Sequence, residues 1–282
     1  MSDYLQLRYD EVSFKAAHNS YQRDETLVEQ ITWHPNDPSD AGCRGIELDI
    51  SQSGDGLEWS VGHDPEYKAD DPQLAQYLAD LSAWAIEHPG HDVITVYLDL
   101  KHVTTASFPN DLDRYLRDYL SYGGQTPVYT PGELMRNAPT VPAGAQRYGW
   151  PTLGELRDRF IICLTGNSAD KATYASTDPR ARLCFADQDQ NADQAPSSTD
   201  RVFFNYHLFS DDKETWCAVF TNAARDAESR RGAIIRGYVL NGEGLWNNAL
   251  SCGCHALATD KVKNYGWAKV GGEPFVRLKP LS

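Results

Sequence analysis

This sequence has no long hydrophobic run and fewer basic than acidic residues. No apolar run approaches the roughly 18 residues of a membrane-spanning helix. Lysine and arginine total 26 against 40 aspartates and glutamates, so the net charge is −14. Nucleic-acid binding and broad adhesion to anionic membranes both need a basic surface, so the charge argues against both. A small anionic phosphodiester can still bind where a cation locally reverses the field.

The N-terminus Met1-Ser2-Asp3-Tyr4 lacks the basic and apolar regions of a signal peptide. We expect a secreted mature chain, with a cytoplasmic protein as the alternative. The six cysteines form no Cys-x-x-Cys pair, which weakens a zinc site, and disulfides and buried free thiols both stay open. Hydrophobic residues make up 41% of the chain, enough for a sizeable core, and no linker or repeat divides it. We therefore expect a single domain over residues 1–282.

Eight apolar, β-branched-rich runs predict strands that are buried on both faces. They are Ser13–Ala17, Gly45–Ile50, Val93–Leu100, Phe160–Thr165, Arg182–Ala186, Val202–Tyr206, Ala233–Leu240 and His255–Thr259. Helical patterns lie between several of them. Strands that alternate with helices predict an α/β fold, a (β/α)8 TIM-type barrel of distorted form. An open doubly wound sheet is the alternative, but no Gly-x-Gly-x-x-Gly follows an early strand to favour it.

The helical patterns are apolar residues at intervals of three and four. One runs from Leu74 to Ala85, a second from Leu112 to Tyr119, and a third includes Trp216, Phe220 and Ala223. Thr152-Leu153-Gly154-Glu155 has the form of a helix capping box. We interpret three irregular stretches as long loops. They are Thr32–Asp40, Gly123–Trp150 and Ala186–Asp200.

Two histidines follow β-like runs in the first quarter of the chain. His18 comes after Phe14-Lys15-Ala16-Ala17, and His63 comes after Trp59-Ser60-Val61-Gly62. A lone histidine in such a place more often only bonds loop backbone. A pair at successive strand ends can instead act as base and acid at one centre. The other histidines have no comparable setting, and we interpret them as structural or surface residues: His34, His88, His91, His102 and His255.

Acidic residues accompany the histidines on neighbouring strands. Glu47 and Asp49 are two apart on one strand, so they share a face, and Asp99 repeats the pattern on the third strand. Two carboxylates inside a barrel repel each other unless a cation lies between them. Asn19 adds an amide oxygen. The set Asn19, Glu47, Asp49 and Asp99 is an oxygen-only shell that suits Ca²⁺, with Mg²⁺ as the alternative. A simple ion pair with Arg44 or a lysine is the structural explanation.

Later strand ends are also polar and could contact a substrate. Lys101 shares a face with Asp99. Asn205-Tyr206-His207 and Asn241-Gly242-Glu243 follow apolar runs. Ordinary loop-start polarity explains the last two segments at least as well. The histidines and the acidic shell together indicate metal-assisted cleavage of a phosphodiester.

These motifs resemble those of the bacterial calcium-dependent phosphatidylinositol-specific phospholipase C family, within the phospholipase C-like phosphodiesterases. The resemblance covers most of the chain and is most specific in its N-terminal half. It is carried by His18-Asn19-Ser20-Tyr21, Gly45-Ile46-Glu47-Leu48-Asp49, Gly62-His63-Asp64-Pro65, His88-Pro89-Gly90-His91, Tyr97-Leu98-Asp99-Leu100-Lys101, Val128-Tyr129-Thr130-Pro131, Trp150–Arg157 and Ala256–Asp260.

The resemblance implies that the inositol 2-hydroxyl attacks phosphorus and releases diacylglycerol, giving a cyclic inositol phosphate. His18 would be the base and His63 the acid. Asn19, Glu47, Asp49 and Asp99 would hold Ca²⁺, and Lys101 would assist the phosphate. Tyr206 is a candidate substrate contact. A related, metal-independent bacterial branch places an arginine at the cation position, and no arginine is identified from the sequence in that role.

The expected partner is a phospholipid or another phosphodiester, with transient contact to a membrane surface. Two other functions stay open at this point. The first is the related chemistry of glycerophosphodiesterases or of sphingomyelinase D-like enzymes. The second is a non-catalytic barrel that binds inositol phosphates, against which the complete set of histidines and acidic residues argues.

Overall fold

The computed structural model describes residues 3–34, 37, 40–190, 201–207 and 232–279. Within these residues the strands are β1 Val12–Ala17, β2 Gly45–Gln52, β3 Trp59–Val61, β4 Ile94–His102, β5 Phe160–Gly166, β6 Phe185–Gln190, β7 Phe203–His207, β8 Ile234–Tyr238, β9 Ala256–Thr259 and β10 Phe275–Arg277. Eight of them pair in parallel in the order β1-β9-β8-β7-β6-β5-β4-β2. A β1–β2 contact closes the ring, so the predicted TIM-type barrel is confirmed.

Two short strands pair in the antiparallel sense and lie outside the parallel ring. Strand β3 returns along β2, pairing Val61 with Ile50, and β10 pairs with β1. The closing contact between β1 and β2 is narrow, because it consists of the single pair Ala16 and Gly45. A Cβ atom on Gly45 would lie 2.7 Å from that of Ala16, so only glycine fits there. By contrast, β2 and β4 pair along most of their length.

Side chains alternate between the inside and the outside of the barrel along each strand. On β4, Val96 and Leu98 face outward into one cluster, whereas Tyr97 belongs to the inner cluster. The inner cluster fills the N-terminal end of the barrel with apolar side chains, including Phe14, Phe185, Phe203, Ile234 and Ala256. Polar side chains follow on the same strands toward their carboxyl ends. The barrel is thus apolar at one end and charged at the other.

The helices cover the outside of the barrel. They are α1 Leu27–Ile31, α2 Leu74–Glu87, α3 Phe108–Tyr119, α4 Pro131–Met135, α5 Val141–Tyr148, α6 Ser168–Ala175 and α7 Glu243–Ser251. Leu78 and Leu81 of α2 and Leu112 of α3 pack on the outward residues of β2 and β4. Trp246 of α7 packs in a separate cluster against β7 and β9. The predicted patterns for α2 and α3 are confirmed.

Several boundaries differ from the sequence-based expectation. The fifth barrel strand, β6, begins at Phe185, not at Arg182, because Arg182 turns out of the sheet to bond Asp113 at 2.9 Å. The stretch 123–150 contains α4 and α5 and is not one long loop. Thr152 and Glu155 do form reciprocal capping bonds, but the segment continues as turns. The helix predicted around Trp216 lies outside the described residues.

The sequence left open whether the cysteines form disulfides or are buried free thiols, and the structure contains both. Four are free thiols within the described chain and all are buried: Cys43, Cys163, Cys184 and Cys254. Cys252 is disulfide-bonded. In the described part of the protein, no helix has the length and apolar character to cross a membrane.

Candidate active site

Three carboxylates meet at the carboxyl ends of two adjacent barrel strands. Glu47 and Asp49 point inward from β2, and Asp99 points inward from β4, where it pairs in register with Asp49. One oxygen of each lies within 4.8 Å of the others. We call these three residues the acidic cluster. All of its donors are carboxylate oxygens, the ligand type that Ca²⁺ and Mg²⁺ prefer, so the residues present fit a hard divalent cation.

A lysine bridges two members of the acidic cluster. The Nζ atom of Lys101 lies 3.1 Å from Oδ2 of Asp49 and 3.0 Å from Oδ1 of Asp99. Burial would lower the pKa of Lys101, but the two carboxylates outweigh it and raise that pKa. Burial raises the pKa of Asp99, Lys101 opposes the rise, and Asp49 and Glu47 add to it. The cluster has three carboxylates and Lys101 one ammonium, so Lys101 compensates only part of the negative charge.

The third carboxylate pairs with an arginine from the opposite side of the barrel. Nη2 of Arg236, on β8, lies 2.7 Å from Oε2 of Glu47, and both side chains are almost fully buried. Burial would raise the pKa of Glu47, but Arg236 outweighs it and the pKa falls. Arg236 also donates to Asn205 and lies over the ring of Tyr97. Of the two ion pairs that the structural explanation allowed, the one with a lysine is made by Lys101, whereas Glu47 pairs with Arg236. Arg44 pairs with Asp92 instead.

His18 directly follows the carboxyl end of β1, and Asp260 holds its ring in place. Its Nδ1 lies 2.8 Å from Oδ1 of Asp260, and its Nε2 lies 4.0 Å from Oε2 of Glu47. Asn241 donates to the other carboxylate oxygen of Asp260 at 2.5 Å. Burial would raise the pKa of Asp260, but its bond to His18 and the nearby charges lower it, so Asp260 accepts from Nδ1–H as a carboxylate. That bond leaves the Nε2 lone pair facing the acidic cluster.

His63 lies on the other side of the acidic cluster. Its Nδ1 is 3.0 Å from Oδ2 of Asp49, and its side chain is 69% exposed. It reaches this position through the antiparallel strand β3, not from the end of a parallel barrel strand as the sequence suggested. The hydroxyl of Tyr21 donates to the same Asp49 oxygen at 2.9 Å. The two histidines therefore flank the carboxylates, each held through Nδ1 by an aspartate.

The remaining predicted site residues take different positions. Asn19 contacts the acidic cluster through its backbone N–H, which donates to Glu47 at 3.1 Å, and its side chain bonds Gln22. The side chain of Tyr206 faces outward and is buried with Trp246 and Leu257, so it does not line the barrel mouth. Tyr206 as a substrate contact is a prediction that this position does not favour.

Aromatic rings from two later strands line the mouth beside His18. The Tyr238 ring lies 5.9 Å from that of His18 and 4.8 Å from that of His207, in stacked arrangements. Burial lowers the pKa of His207, and the nearby His18 lowers it further. A flat substrate face can rest on such a wall.

Sequence reasoning missed Arg236 and Asp260 as members of the site, and it considered Asn241 only as a possible substrate contact. Arg236 could have been found from the sequence, because it is a charged residue inside the apolar run Ala233–Leu240. It is two residues from Tyr238, so the two side chains share one face of the strand. Asp260 follows the last predicted barrel strand directly, as His18 follows the first. Their partners depend on barrel closure, which the sequence does not specify residue by residue.

A histidine held by a carboxylate, a second histidine and an acidic cluster at the mouth of a TIM-type barrel are the groups expected of an enzyme that cleaves phosphodiesters. Comparison with known families identifies this class more closely. The family model "Phosphoinositide phospholipase C, Ca²⁺-dependent" matches residues 61–201, half of the chain. The chain belongs to this Ca²⁺-dependent phosphoinositide phospholipase C family.

Solved structures show the same fold at low sequence identity. A calcium-dependent phosphoinositol-specific phospholipase C from a Pseudomonas species is 18% identical, with a TM-score of 0.72 over 98% of this chain and 96% of that chain. The enzyme from Streptomyces antibioticus is 18% identical, with a TM-score of 0.67 over 90% of this chain and 94% of that one. An Oleispira antarctica phosphodiesterase is 13% identical, with a TM-score of 0.52 over 91% of this chain and 96% of that chain. No curated protein sequence matches the chain.

Proposed function

We propose that this protein cleaves phosphatidylinositol between inositol and diacylglycerol by attack of the inositol 2-hydroxyl, with Ca²⁺ as its cation. The observation that carries the proposal is the placement of His18 and His63 on opposite sides of the acidic cluster. An internal attack needs a base at the attacking hydroxyl and an acid at the leaving oxygen, and the two histidines supply one group at each side. Family membership supports the phosphoinositide substrate.

In this reaction His18 accepts the 2-hydroxyl proton at Nε2 while the hydroxyl oxygen bonds to phosphorus. The bond between phosphorus and the diacylglycerol oxygen breaks, and His63 donates a proton to that oxygen. The products are a cyclic inositol phosphate and diacylglycerol. Asp260 stabilises the imidazolium that forms on His18, as a buried carboxylate does for a histidine base. Asp49 orients His63 in the same way.

Ca²⁺ would be held by Glu47, Asp49 and Asp99, with Asn19 beside them. When bound, it supplies positive charge next to the non-bridging phosphate oxygens and to the attacking hydroxyl. The oxygen-only donor set supports Ca²⁺ or Mg²⁺ over Zn²⁺, and the family match favours Ca²⁺.

The proposal is tested by turnover of phosphatidylinositol with and without Ca²⁺, with the phosphorus products resolved by ³¹P NMR. We expect a cyclic inositol phosphate with Ca²⁺, no turnover in excess chelator, and recovery when Ca²⁺ returns. Full activity in chelator would remove the metal from the mechanism. Glycerol phosphate from glycerophosphodiesters, or a cyclic lipid phosphate, would assign the site to the related phosphodiesterases instead.

Contact with a lipid surface belongs to the same proposal. Leu57 is 58% exposed and lies in the turn between β2 and β3, at the end of the barrel that carries the acidic cluster. An exposed apolar side chain at this rim can enter the interfacial layer of a membrane while the mouth faces the head groups. Leu57→Asp should reduce turnover of phosphatidylinositol in vesicles several-fold and leave turnover of a short-chain soluble substrate unchanged. Equal loss on both substrates would contradict the contact.

A further inference from the structure

Two cationic side chains of the protein partly neutralise the acidic cluster, and the structure holds them very differently. Arg236 is only 1% exposed, pairs with Glu47, donates to Asn205, and contacts the rings of Tyr97 and Tyr238. A guanidinium fixed on several sides by planar partners is a permanent part of the barrel interior.

Lys101 is held much less firmly. Its side chain is 22% exposed, and its ammonium contacts Asp49 and Asp99 at the open end of the barrel. An ammonium on a flexible four-carbon stem is a compact charge that can change partners at low cost. Movement of Lys101 toward the mouth requires no change in the strand that carries it.

The charges of these groups limit what the site can hold. Glu47, Asp49 and Asp99 contribute −3, and Arg236 and Lys101 contribute +2, so the group as a whole carries −1 without a metal. A divalent cation bound to the same Asp49 and Asp99 oxygens would lie against the Lys101 ammonium. Two cations in contact in a partly buried site repel strongly. Metal and ammonium therefore compete for the same carboxylates.

We propose that Lys101 is an exchangeable internal cation, which Ca²⁺ displaces from the acidic cluster and which then turns to the anionic substrate. The identity of the metal rests on the proposed function. The consequence is that Lys101 weakens Ca²⁺ binding in the empty enzyme. An anion bound at the mouth strengthens Ca²⁺ binding, because it gives the displaced ammonium a new partner. Coupling of this kind is reciprocal between the two ligands.

The test is Ca²⁺ binding to the substrate-free protein, measured by isothermal titration calorimetry and by sensitised terbium luminescence. Lys101→Met keeps the length of the side chain and removes its charge, and should bind Ca²⁺ about tenfold more tightly. Lys101→Arg should bind Ca²⁺ more weakly than wild type, because a guanidinium can grip carboxylates at two points. Lys68→Met is the matched control, since Lys68 pairs with exposed Asp64 and carries the same charge. Its Ca²⁺ affinity should equal that of wild type.

A second measurement adds inositol 1-phosphate to the same titrations. The anion should tighten Ca²⁺ binding to wild type and to Lys68→Met, and should do so much less in Lys101→Met. Thermal unfolding shows that the variant is folded. Ca²⁺ should also raise the melting temperature of Lys101→Met by more than it raises that of wild type. Unchanged or weaker Ca²⁺ binding in Lys101→Met would overturn the proposal, and so would full anion coupling in that variant. Either result would leave Ca²⁺-dependent turnover, the test of the proposed function, untouched.

Discussion

Nδ1 of His18 lies 2.8 Å from Oδ1 of Asp260, although 242 residues separate the two in the chain. Arg23 approaches the same oxygen at 3.3 Å, and Asn241 donates to the other one. The backbone N–H of Asp260 in turn donates to Asn241. The carboxylate is thus held from several sides, and it fixes both the orientation and the tautomer of the His18 ring.

Asp260→Asn should lower kcat by between about 10² and 10⁴ while the protein stays folded. The asparagine amide can donate to Nδ1, which would place the ring proton on Nε2 and block its use as a base. Steady-state kinetics and circular dichroism check this. Asp40→Asn is the matched control, because Asp40 bonds the Nδ1 of exposed His34 in a second His–Asp pair. A normal kcat in Asp260→Asn would contradict the assignment of His18 as the base.

His18→Ala and His63→Ala should each abolish turnover of phosphatidylinositol without unfolding the protein. The two variants should differ on a substrate whose leaving group is a nitrophenol. Such a leaving group departs without a proton, so His63→Ala should recover most activity and His18→Ala should recover none. Equal recovery in both variants would show that the acid and base roles are wrong. Melting temperatures near the wild-type value confirm that each variant folds.

The Arg236 and Glu47 pair should show strong coupling in a double-mutant cycle. Arg236→Met leaves the Glu47 carboxylate buried and uncompensated, so the free energy of unfolding should fall by about 3 kcal/mol. In a Glu47→Gln background the same substitution should cost at least about 1 kcal/mol less. Urea unfolding of the metal-free proteins measures both. Arg159→Met is the control, because its pair with Glu133 is partly exposed and should contribute under about 1 kcal/mol. Additive effects for Arg236 and Glu47 would contradict the pairing.

His255 should make the protein sensitive to mild acid. Burial lowers its pKa to about 4, and Nδ1 accepts from Ile235 while Nε2 donates to Asp10. Between the unfolded pKa of about 6.5 and pH 4, the unfolded chain binds a proton that the folded chain does not. Stability therefore falls as pH falls through this window, by roughly 1.4 kcal/mol per pH unit and about 3 kcal/mol in total.

Urea unfolding at pH 7 and pH 4.5 measures this loss in wild type and in two variants. His255→Gln should be less stable at pH 7 but should lose roughly 2 kcal/mol less on acidification than wild type. His34→Gln should follow the wild-type curve, since His34 is 70% exposed at its side chain. Parallel curves for wild type and His255→Gln would show that the acid sensitivity has another origin.

Much of the site follows from strand alternation. Glu47 with Asp49, and Asp99 with Lys101, share strand faces in the sequence, and the structure brings all four together. The eight barrel strands are predicted from a different signal, because each apolar run is continuous and long enough to be a strand buried on both faces. Their carboxyl ends then meet at one rim.

Strand alternation, applied more strictly, would have placed the side chain of Tyr206 on the outside of the barrel. Asn205 bonds inward to Arg236, so its neighbour Tyr206 must face the helices. The apolar run around Tyr206 hid this alternation. The sequence does not show which side chains meet each other across the barrel. Arg236 meets Glu47, and Asp260 meets His18, because of barrel curvature and the register of strands that are far apart in the chain.

The distribution of the site along the chain has a consequence for its biosynthesis. His18, His63, Lys101 and the acidic cluster all lie within the first 101 residues, whereas Arg236 and Asp260 are made far later. A growing polypeptide contains all of the early groups before the last barrel strand leaves the ribosome, but it still lacks the carboxylate of Asp260 that bonds His18. Under the proposed mechanism, turnover is therefore acquired only after the ring closes, and an incomplete chain has the residues of the acidic cluster without an oriented base.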